Sequence, residues 1–292
     1  MDELLHLLET HDGLRIAVFA VFGLLVGSFL NVVILRLPPQ LAYRWRQEAR
    51  ETLGLTADGS DAAPPGIVRP PSRCPHCRTL LRPWHNIPVL SYLALRGHCG
   101  HCGAPISLRY PLVESLTGLA FALIAWRFGA GPEALGALTL TALLIALAGI
   151  DLDHQILPDN LTLPGLWLGL LFNLSGSFAT LGDAVIGAMA GYLALWSVYQ
   201  AFRLLTGKEG MGYGDFKLLA LLGAWLGWTH LPGVILIGSI VGALVGTVAL
   251  RLSGRDRQTP IPFGPFLAAG GWIMLMAGEH LNRGYLQLSG VA

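Results

Sequence analysis

The sequence predicts an all-α polytopic membrane protein with about eight transmembrane helices. Hydrophobic residues make up 53% of the 292-residue chain and charged residues only 13%, about half the charged fraction of a soluble domain. Apolar runs recur along the chain, and a spanning helix needs about 20 such residues. Eight runs approach this length, although the fourth and sixth are short: 14–35, 111–128, 133–150, 160–175, 181–203, 216–228, 232–250 and 263–282.

The first run is predicted to be a retained helix, so that residues 1–35 form an N-terminal segment and the first transmembrane helix. The run is too long for a simple signal peptide, and no small-x-small cleavage triplet follows it. Several runs contain glycines four residues apart, such as Gly187 and Gly191. This spacing lets helix backbones approach closely in lipid, so it predicts packing and carries no argument for function.

Residues 36–110 form the one sizeable hydrophilic segment, which we predict to be a cytoplasmic loop between the first and second spanning helices. At its start, residues 40–54 have the pattern of a short amphipathic helix that can lie at the lipid surface. All four cysteines of the chain follow, in two Cys-x-x-Cys pairs: Cys74 with Cys77, and Cys99 with Cys102.

The two cysteine pairs predict a zinc-binding module, because two such pairs at about this separation can close a tetrahedral thiolate site. Disulfide bonds are the alternative, which a reducing cytoplasm disfavours. Four thiolates complete the coordination shell, so the zinc would be structural, and its binding can supply folding free energy to a small domain. Four nearby imidazoles are alternative ligands: His76, His85, His98 and His101.

The distribution of arginine and lysine predicts the orientation of the chain. Ten of the 19 basic residues lie in 36–110 and six more lie in alternate later loops, whereas only Arg15, Arg127 and Arg283 fall on the other side. The positive-inside rule therefore places 36–110 in the cytoplasm and both termini in the periplasm. Residues 111–292 then form a seven-helix membrane core.

Two aspartates lie at the ends of apolar runs, where a charge is costly unless it faces protein, water or a partner. Asp151 closes the run 142–150, and Asp215 opens the run 218–226 directly after a Gly-Tyr-Gly sequence. The predicted orientation puts both at the cytoplasmic ends of their helices and hence at one depth. This placement predicts a shared site for the two carboxyl groups.

Each acid in these stretches also has a structural explanation. Asp215 can cap helix 216–228, with or without a catalytic role, and capping of helix 160–175 is the favoured explanation for Asp159. Asp153 and His154 lie further into the cytoplasmic turn, where Asp153 can be solvated or can support the site. Asp151 is nearest the hydrocarbon and is the preferred partner of Asp215.

A pair of carboxyl groups that shares a proton can perform aspartyl proteolysis. Two close carboxylates do not both ionise readily, so one stays protonated. The ionised group takes a proton from the attacking water, while the protonated group hydrogen-bonds the substrate carbonyl and later supplies a proton. Because the pair titrates as a unit, neither role is assigned to one residue.

Several long motifs follow one another in the order of a known family. They are Gly-Ser-Phe-Leu-Asn at 27–31, the two cysteine pairs, Arg-Tyr-Pro-Leu-Val-Glu at 109–114, Asp-Leu-Asp-His at 151–154, Gly-Tyr-Gly-Asp-Phe-Lys at 212–217 and Pro-Ile-Pro-Phe-Gly-Pro at 260–265. Together they resemble the bacterial type IV prepilin leader peptidase and N-methyltransferase family, over about residues 27–270.

The resemblance implies a bifunctional enzyme of the bacterial inner membrane. Such enzymes cleave type IV prepilins and type II secretion pseudopilins at the cytoplasmic face, then methylate the new N-terminal residue, usually phenylalanine, with S-adenosylmethionine. Carried over by motif, the catalytic residues are Asp151 and Asp215. The family's zinc ligands match Cys74, Cys77, Cys99 and Cys102. The expected partners are these substrates and membrane lipid, with no nucleic acid.

The methyl-transfer site is the least defined part of this prediction. No Gly-x-Gly-x-x-Gly motif follows a strand, so a Rossmann-type cofactor site is not expected. A small site formed near 27–38 and 70–114 remains, for which the weak candidates are Asn31, Gly97, Arg109 and Glu114. The stretch 109–114 is equally explained as a helix-entry motif with a structural ion pair.

Two other classes of protein fit parts of the pattern. A presenilin-like intramembrane aspartyl protease shares Gly-x-Gly-Asp, but it would lack the cysteine pairs. A non-enzymatic membrane transporter or scaffold would carry protons on its acids and bind a partner through the zinc module. Substitution of the aspartates by asparagine separates these hypotheses, because an enzyme then loses turnover whereas a scaffold keeps its function.

Overall fold

The computed structural model describes residues 7–55, 62–253 and 262–289. Within these ranges the regular structure is helical, and the only β pairing is two isolated bridges. The chain divides into two compact units, Met1–Trp126 (unit 1) and Arg127–Ala292 (unit 2). Some residues used for the predictions lie outside the described ranges, namely Arg255, Arg257, Pro260, Ile261 and the two chain ends.

Unit 1 begins with one 41-residue helix, α1 (Asp12–Thr52). The prediction of a separate amphipathic helix over 40–54 is wrong, because these residues continue the first helix through Pro38 and Pro39. Each proline removes one backbone hydrogen bond, which the turns on either side tolerate. At about 1.5 Å per residue α1 is about 60 Å long, so it extends well beyond a hydrocarbon core of about 30 Å.

The remainder of unit 1 contains the cysteine segment and the second long helix. A 3-10 turn (Pro83–Asn86) and a short helix, α2 (Leu90–Ala94), precede α3 (Arg109–Phe128). Helix α3 packs closely on α1 at two glycines. A Cβ on Gly27 would lie 2.7 Å from the Cα of Glu114, and a Cβ on Gly23 would lie 2.7 Å from the carbonyl oxygen of Thr117. Gly23 and Gly27 are four residues apart, so the close packing predicted for that spacing is confirmed here.

Unit 2 consists of six helices within the described residues. They are α4 (Pro132–His154), α5 (Asp159–Phe172), α6 (Leu181–Thr206), α7 (Tyr213–Leu226), α8 (Leu231–Ser253) and α9 (Gly264–Ser289). Each apolar run predicted from 133 onward is therefore a helix. Residues 173–180, 207–212 and 227–230 form short connections between them.

The all-α polytopic membrane fold is confirmed. Among the described residues, five helices are long and apolar enough to cross a membrane: Asp12–Thr52, Arg109–Phe128, Pro132–His154, Leu181–Thr206 and Trp228–Val248. Helices α5 and α7, whose runs are the short ones in the sequence, have 14 residues each. At about 21 Å they are shorter than the hydrocarbon core.

The short helix α7 lies at the centre of unit 2, and all of its residues from Leu218 to Leu226 are buried. Its neighbours present small residues to it. Gly187 and Gly191 of α6 contact the α7 backbone, and Gly169 of α5 faces Trp225. The Nε1 of Trp225 donates a hydrogen bond of 2.8 Å to the carbonyl of Gly165. These contacts fix α7, whose first turn carries Asp215.

Candidate active site and metal centre

Asp151 lies in the last turn of α4, and only 5% of the residue is exposed. The helix ends at His154, where the following residue, Gln155, adopts the left-handed conformation (φ 54°). The backbone N–H of Gly264, the first residue of α9, donates a hydrogen bond of 3.0 Å to Oδ2 of Asp151. Helix N termini offer such unpaired N–H groups to anions, so the start of α9 holds this carboxyl group in place.

Asp215 lies in the first turn of α7 and is 8% exposed. Gly212 occupies the N-cap position of this helix, and no side chain forms a capping hydrogen bond there. Capping therefore does not explain Asp215. Its carboxyl group is close enough to that of Asp151 for the two to interact electrostatically. The structure thus brings the two sequence-predicted aspartates together in a buried setting.

Two glycines allow the chain to close around these acids. A Cβ on Gly264 would lie 2.6 Å from Oδ2 of Asp151, and a Cβ on Gly214 would lie 2.8 Å from the Cβ of Leu157. Gly212 has open space around its Cα instead. Gly264 is the residue that sequence reasoning missed as part of the site. Its motif at 260–265 was visible, but a contact across 113 residues was not.

Asp159 is the first residue of α5, which Pro158 caps without a side-chain hydrogen bond. The prediction that Asp159 caps this helix is wrong. Its carboxylate instead forms an ion pair with Lys217 of α7, whose Nζ lies 2.6 and 2.8 Å from its two oxygens. The pair links α5 to α7 near the surface. Asp153 is exposed at the end of α4.

The four cysteines form a candidate metal centre in unit 1. Their Sγ atoms all lie within 4.8 Å of one another, and those of Cys74 and Cys102 are 3.8 Å apart. Four sulfurs placed about 2.3 Å from a tetrahedral zinc would be about 3.8 Å apart, so the arrangement fits such an ion. All four are free thiols. In the described part of the chain this cluster consists of cysteines alone.

The backbone gives the two cysteine pairs the same turn. The N–H of Arg78 donates to the carbonyl of Cys74, and the N–H of Gly103 donates to that of Cys99, each at 2.9 Å. Both donors adopt positive φ, 57° at Arg78 and 69° at Gly103. A left-handed arginine is uncommon, and the turn that aims the sulfurs inward accounts for it.

Hydrogen bonding and burial give three of the thiols different pKa values. Bonds from Thr79 lower the pKa of Cys77 to about 6, and backbone bonds at Cys102 and His101 lower the pKa of Cys99. At Cys102 the backbone of Ala104 lowers the pKa, but burial and the other thiols outweigh it and raise the value to about 11. Several adjacent thiolates therefore need a cation beside them before all are deprotonated.

The four weak methyl-transfer candidates are only partly brought together. Asn31 of α1 and Glu114 of α3 both line a cavity of about 500 Å³ in unit 1. Gly97 and Arg109 are not among the residues that line it. Gly97 has a positive φ of 72° and packs against Tyr92, which does line the cavity.

A buried aspartate pair on a polytopic all-α scaffold is typical of the membrane aspartic peptidases. The chain matches the family described as Bacterial Peptidase A24 N-terminal domain over residues 21–128 and the Type IV leader peptidase family over residues 138–247. The chain belongs to the family of prepilin leader peptidases/N-methyltransferases, as its similarity to curated relatives over almost its whole length shows.

Three relatives carry the name Prepilin leader peptidase/N-methyltransferase. The protein of Stutzerimonas stutzeri is 56% identical, with 92% of this chain and 93% of that protein covered. That of Pseudomonas aeruginosa is 53% identical over 98% and 99% of the two chains, and that of Aeromonas hydrophila is 55% identical over 96% and 98%. No solved structure matches the chain significantly.

Proposed function

We propose that the protein is a bifunctional enzyme that removes the leader peptide from type IV prepilins and type II secretion pseudopilins and then methylates the new N-terminal residue, usually phenylalanine. The names of its relatives join these two activities, and the match covers nearly the whole chain. The observation that carries the peptidase activity is the buried, mutually interacting pair of Asp151 and Asp215.

In the proposed cleavage step the two carboxyl groups act on one water molecule and one peptide bond. One carboxyl group is ionised and takes a proton from the water, whose oxygen bonds to the carbonyl carbon. The other is protonated, hydrogen-bonds the carbonyl oxygen and later supplies the proton that the leaving nitrogen needs as the C–N bond breaks. The N–H of Gly264 orients Asp151 throughout.

The second proposed activity uses the amine that cleavage releases. S-adenosylmethionine would supply a methyl group that is carried on a positively charged sulfur. On transfer of the methyl group, that sulfur becomes the neutral thioether of S-adenosylhomocysteine. The lone pair of the α-amino nitrogen forms the new N–C bond as the C–S bond breaks, and the nitrogen then gives up a proton. The protein must therefore hold the amine and the methyl donor side by side.

We propose that the four cysteines hold a structural zinc ion. The spacing of their sulfurs fits tetrahedral zinc, and all four Sγ atoms lie within 4.8 Å of one another. Four protein ligands leave no open coordination position for a substrate. The ion would join two distant turns of a segment that has few buried apolar residues of its own.

We further propose a position in the bacterial inner membrane, with the aspartates at the cytoplasmic face and both termini in the periplasm. The excess of arginine and lysine in 36–110 supports this orientation. Divided by environment, residues 1–35 contain the first transmembrane helix, 36–110 are the cytoplasmic loop, and 111–292 are the peptidase core. A short basic leader followed by an apolar helix would present its junction at that face.

A cleavage assay on substitution variants tests the dyad. Purified protein in detergent would be incubated with a prepilin-type substrate, and leader removal would be followed on gels. Asp151→Asn and Asp215→Asn should each abolish cleavage, whereas Asp159→Asn should keep most of it, because Asp159 is exposed and pairs with Lys217 and with neither dyad acid. Full cleavage by either dyad variant would refute the mechanism, and a scaffold function would be the better explanation.

A further inference from the structure

The cavity in unit 1 is built by three parts of the chain. Helix α1 contributes Ser28 and Asn31, the start of α3 contributes Tyr110 and Glu114, and residues 72–107 form the remaining walls. Its volume of about 500 Å³ lies within the usual range of small-molecule pockets. The metal module takes part directly, because Cys74 and Cys99 also line the cavity.

Asn31 presents an unpaired acceptor at this cavity. The residue is 2% exposed, and its Nδ2 donates to the carbonyls of Gly27 (3.3 Å) and Tyr110 (3.1 Å). Its Oδ1 is buried and has no hydrogen-bond partner among the described residues. The opposite amide orientation would set Oδ1 against two carbonyl oxygens, so the orientation is fixed by its partners. A buried acceptor left unpaired is costly, which indicates that a ligand supplies the donor.

A strained turn is hydrogen-bonded to Glu114, the second buried polar residue that lines this cavity. Val89 has φ 59° and ψ −48°, a conformation that β-branched residues rarely adopt. Its N–H donates a hydrogen bond of 2.7 Å to Oε2 of Glu114, which is 7% exposed and also hydrogen-bonds Ser28. Strained backbone persists where surrounding structure enforces it, and it collects at ligand sites. The turn leads into α2, whose Tyr92 lines the cavity.

The remaining lining residues complement the parts of a nucleoside that carries an amino acid. Tyr92, Tyr110 and the imidazoles of His85 and His101 offer flat rings to a purine. Arg36 lines the cavity as well and donates to three backbone carbonyls, which fixes at the cavity wall a positive charge that can attract a carboxylate. Asn31 and Glu114 are acceptors suited to an ammonium group.

We infer that this cavity is the binding site for S-adenosylmethionine, with Oδ1 of Asn31 accepting a hydrogen bond from the bound molecule and Tyr92 packing against it. Glu114 acts as a positioning residue that holds the Val89 turn, from which the helix carrying Tyr92 starts. The inference rests on the proposed methyl-transfer activity and adds to it a location contained within unit 1, whereas the two aspartates belong to unit 2.

Binding is tested without turnover, by equilibrium dialysis of the full-length protein in detergent against radiolabelled S-adenosylmethionine. Asn31→Leu and Tyr92→Ala should each raise the dissociation constant at least about tenfold, since a charged hydrogen bond or a stacked ring is lost. The matched control is Thr117→Val, which changes a buried α3 residue that bonds only the carbonyl of Val113 and does not line the cavity. It should bind within about twofold of wild type, as should the Asp151→Asn, Asp215→Asn double variant.

Two further readouts keep the outcomes distinct. Leader cleavage by the Asn31, Tyr92 and Thr117 variants reports their folding, and thermal unfolding reports that of the double aspartate variant. Ultraviolet cross-linking of the label to wild-type protein, followed by peptide mapping, should mark residues 28–114. Cross-linking confined to residues 127–292, or unchanged affinity in both cavity variants, would overturn the cavity assignment alone. If the wild-type protein cleaves substrate but does not bind S-adenosylmethionine, the methyl-transfer function itself falls together with the assignment.

Discussion

Gly264 shows how one residue without a side chain can shape the proposed catalytic pair. Its N–H bonds Asp151, and a Cβ would lie 2.6 Å from the same carboxylate oxygen. We predict that Gly264→Ala reduces leader cleavage by about tenfold or more, because displacing a catalytic group by about 1 Å can cost 100-fold. The initial rate of cleavage, measured beside the circular dichroism spectrum, checks this.

The matched control lies on the same helix. Gly284 has no atom within 4 Å of the position that a Cβ would take, so Gly284→Ala should cleave at nearly the wild-type rate. If the two alanine variants were equally active, the contact between α9 and Asp151 would have no catalytic consequence.

At the residue scale, the sequence predicted the acidic residues of the site better than the residues that contact them. Asp151 and Asp215 were identifiable because a carboxylate at the end of an apolar run needs compensation. Asp159 was assigned to a cap because its partner, Lys217, is 58 residues away in sequence. Gly264 and the unpaired oxygen of Asn31 were hidden for the same reason, since both depend on contacts between distant segments.

At the scale of helices, the contact between α6 and α7 depends on glycine. A Cβ on Gly187 would overlap the carbonyl of Gly223, and a Cβ on Gly191 would meet that of Leu219. We predict that Gly187→Ala forces the two helices apart and destabilises the protein by about 2 kcal/mol, within the usual cost of overpacking. Cleavage should fall too, since α7 carries Asp215.

Thermal unfolding in detergent measures this effect, with Gly182→Ala as the control on the same helix. The atom nearest to a Cβ there is 3.9 Å away, so its melting temperature should match that of the wild type. Equal melting temperatures for both variants would show that the helices tolerate a wider separation than the packing indicates.

The helices were predictable from apolar runs, but their extents were not all predictable. Every predicted run is helical, because lipid leaves few other ways to satisfy the backbone. The continuity of α1 through Pro38 and Pro39 was missed, since proline is disfavoured within helices. The short α7 is accommodated by burial among neighbouring helices, and such packing depends on residues far apart in sequence.

At the scale of the whole molecule, the metal centre is predicted to hold one zinc ion per chain. We expect Cys99→Ser to lose most of the bound zinc, because three thiolates and a weakly acidic hydroxyl form a poorer site. His101→Ala should retain it, since the cluster of potential ligands consists of the four cysteines. Elemental analysis of the purified variants measures this. Zinc retained by Cys99→Ser would contradict the four-cysteine site, and zinc lost from His101→Ala would point to imidazole ligation.

Composition and charge predicted the whole-molecule properties more fully than they predicted either site. The low charged fraction indicated a membrane protein, and the order of motifs indicated the family that the relatives confirm. The stretches 27–38 and 70–114 were predicted for the methyl-transfer site, but the cavity between them was not predictable. Its walls come from α1, the cysteine segment and α3, which only the fold brings together.

The most direct test of the central claim is mass spectrometry of a prepilin-type substrate after incubation with the purified protein and S-adenosylmethionine. We predict a product that lacks the leader and carries one added methyl group at its new N terminus. Without S-adenosylmethionine the same product should appear unmethylated. A substrate that stays intact in the presence of well-folded protein would contradict the proposed function.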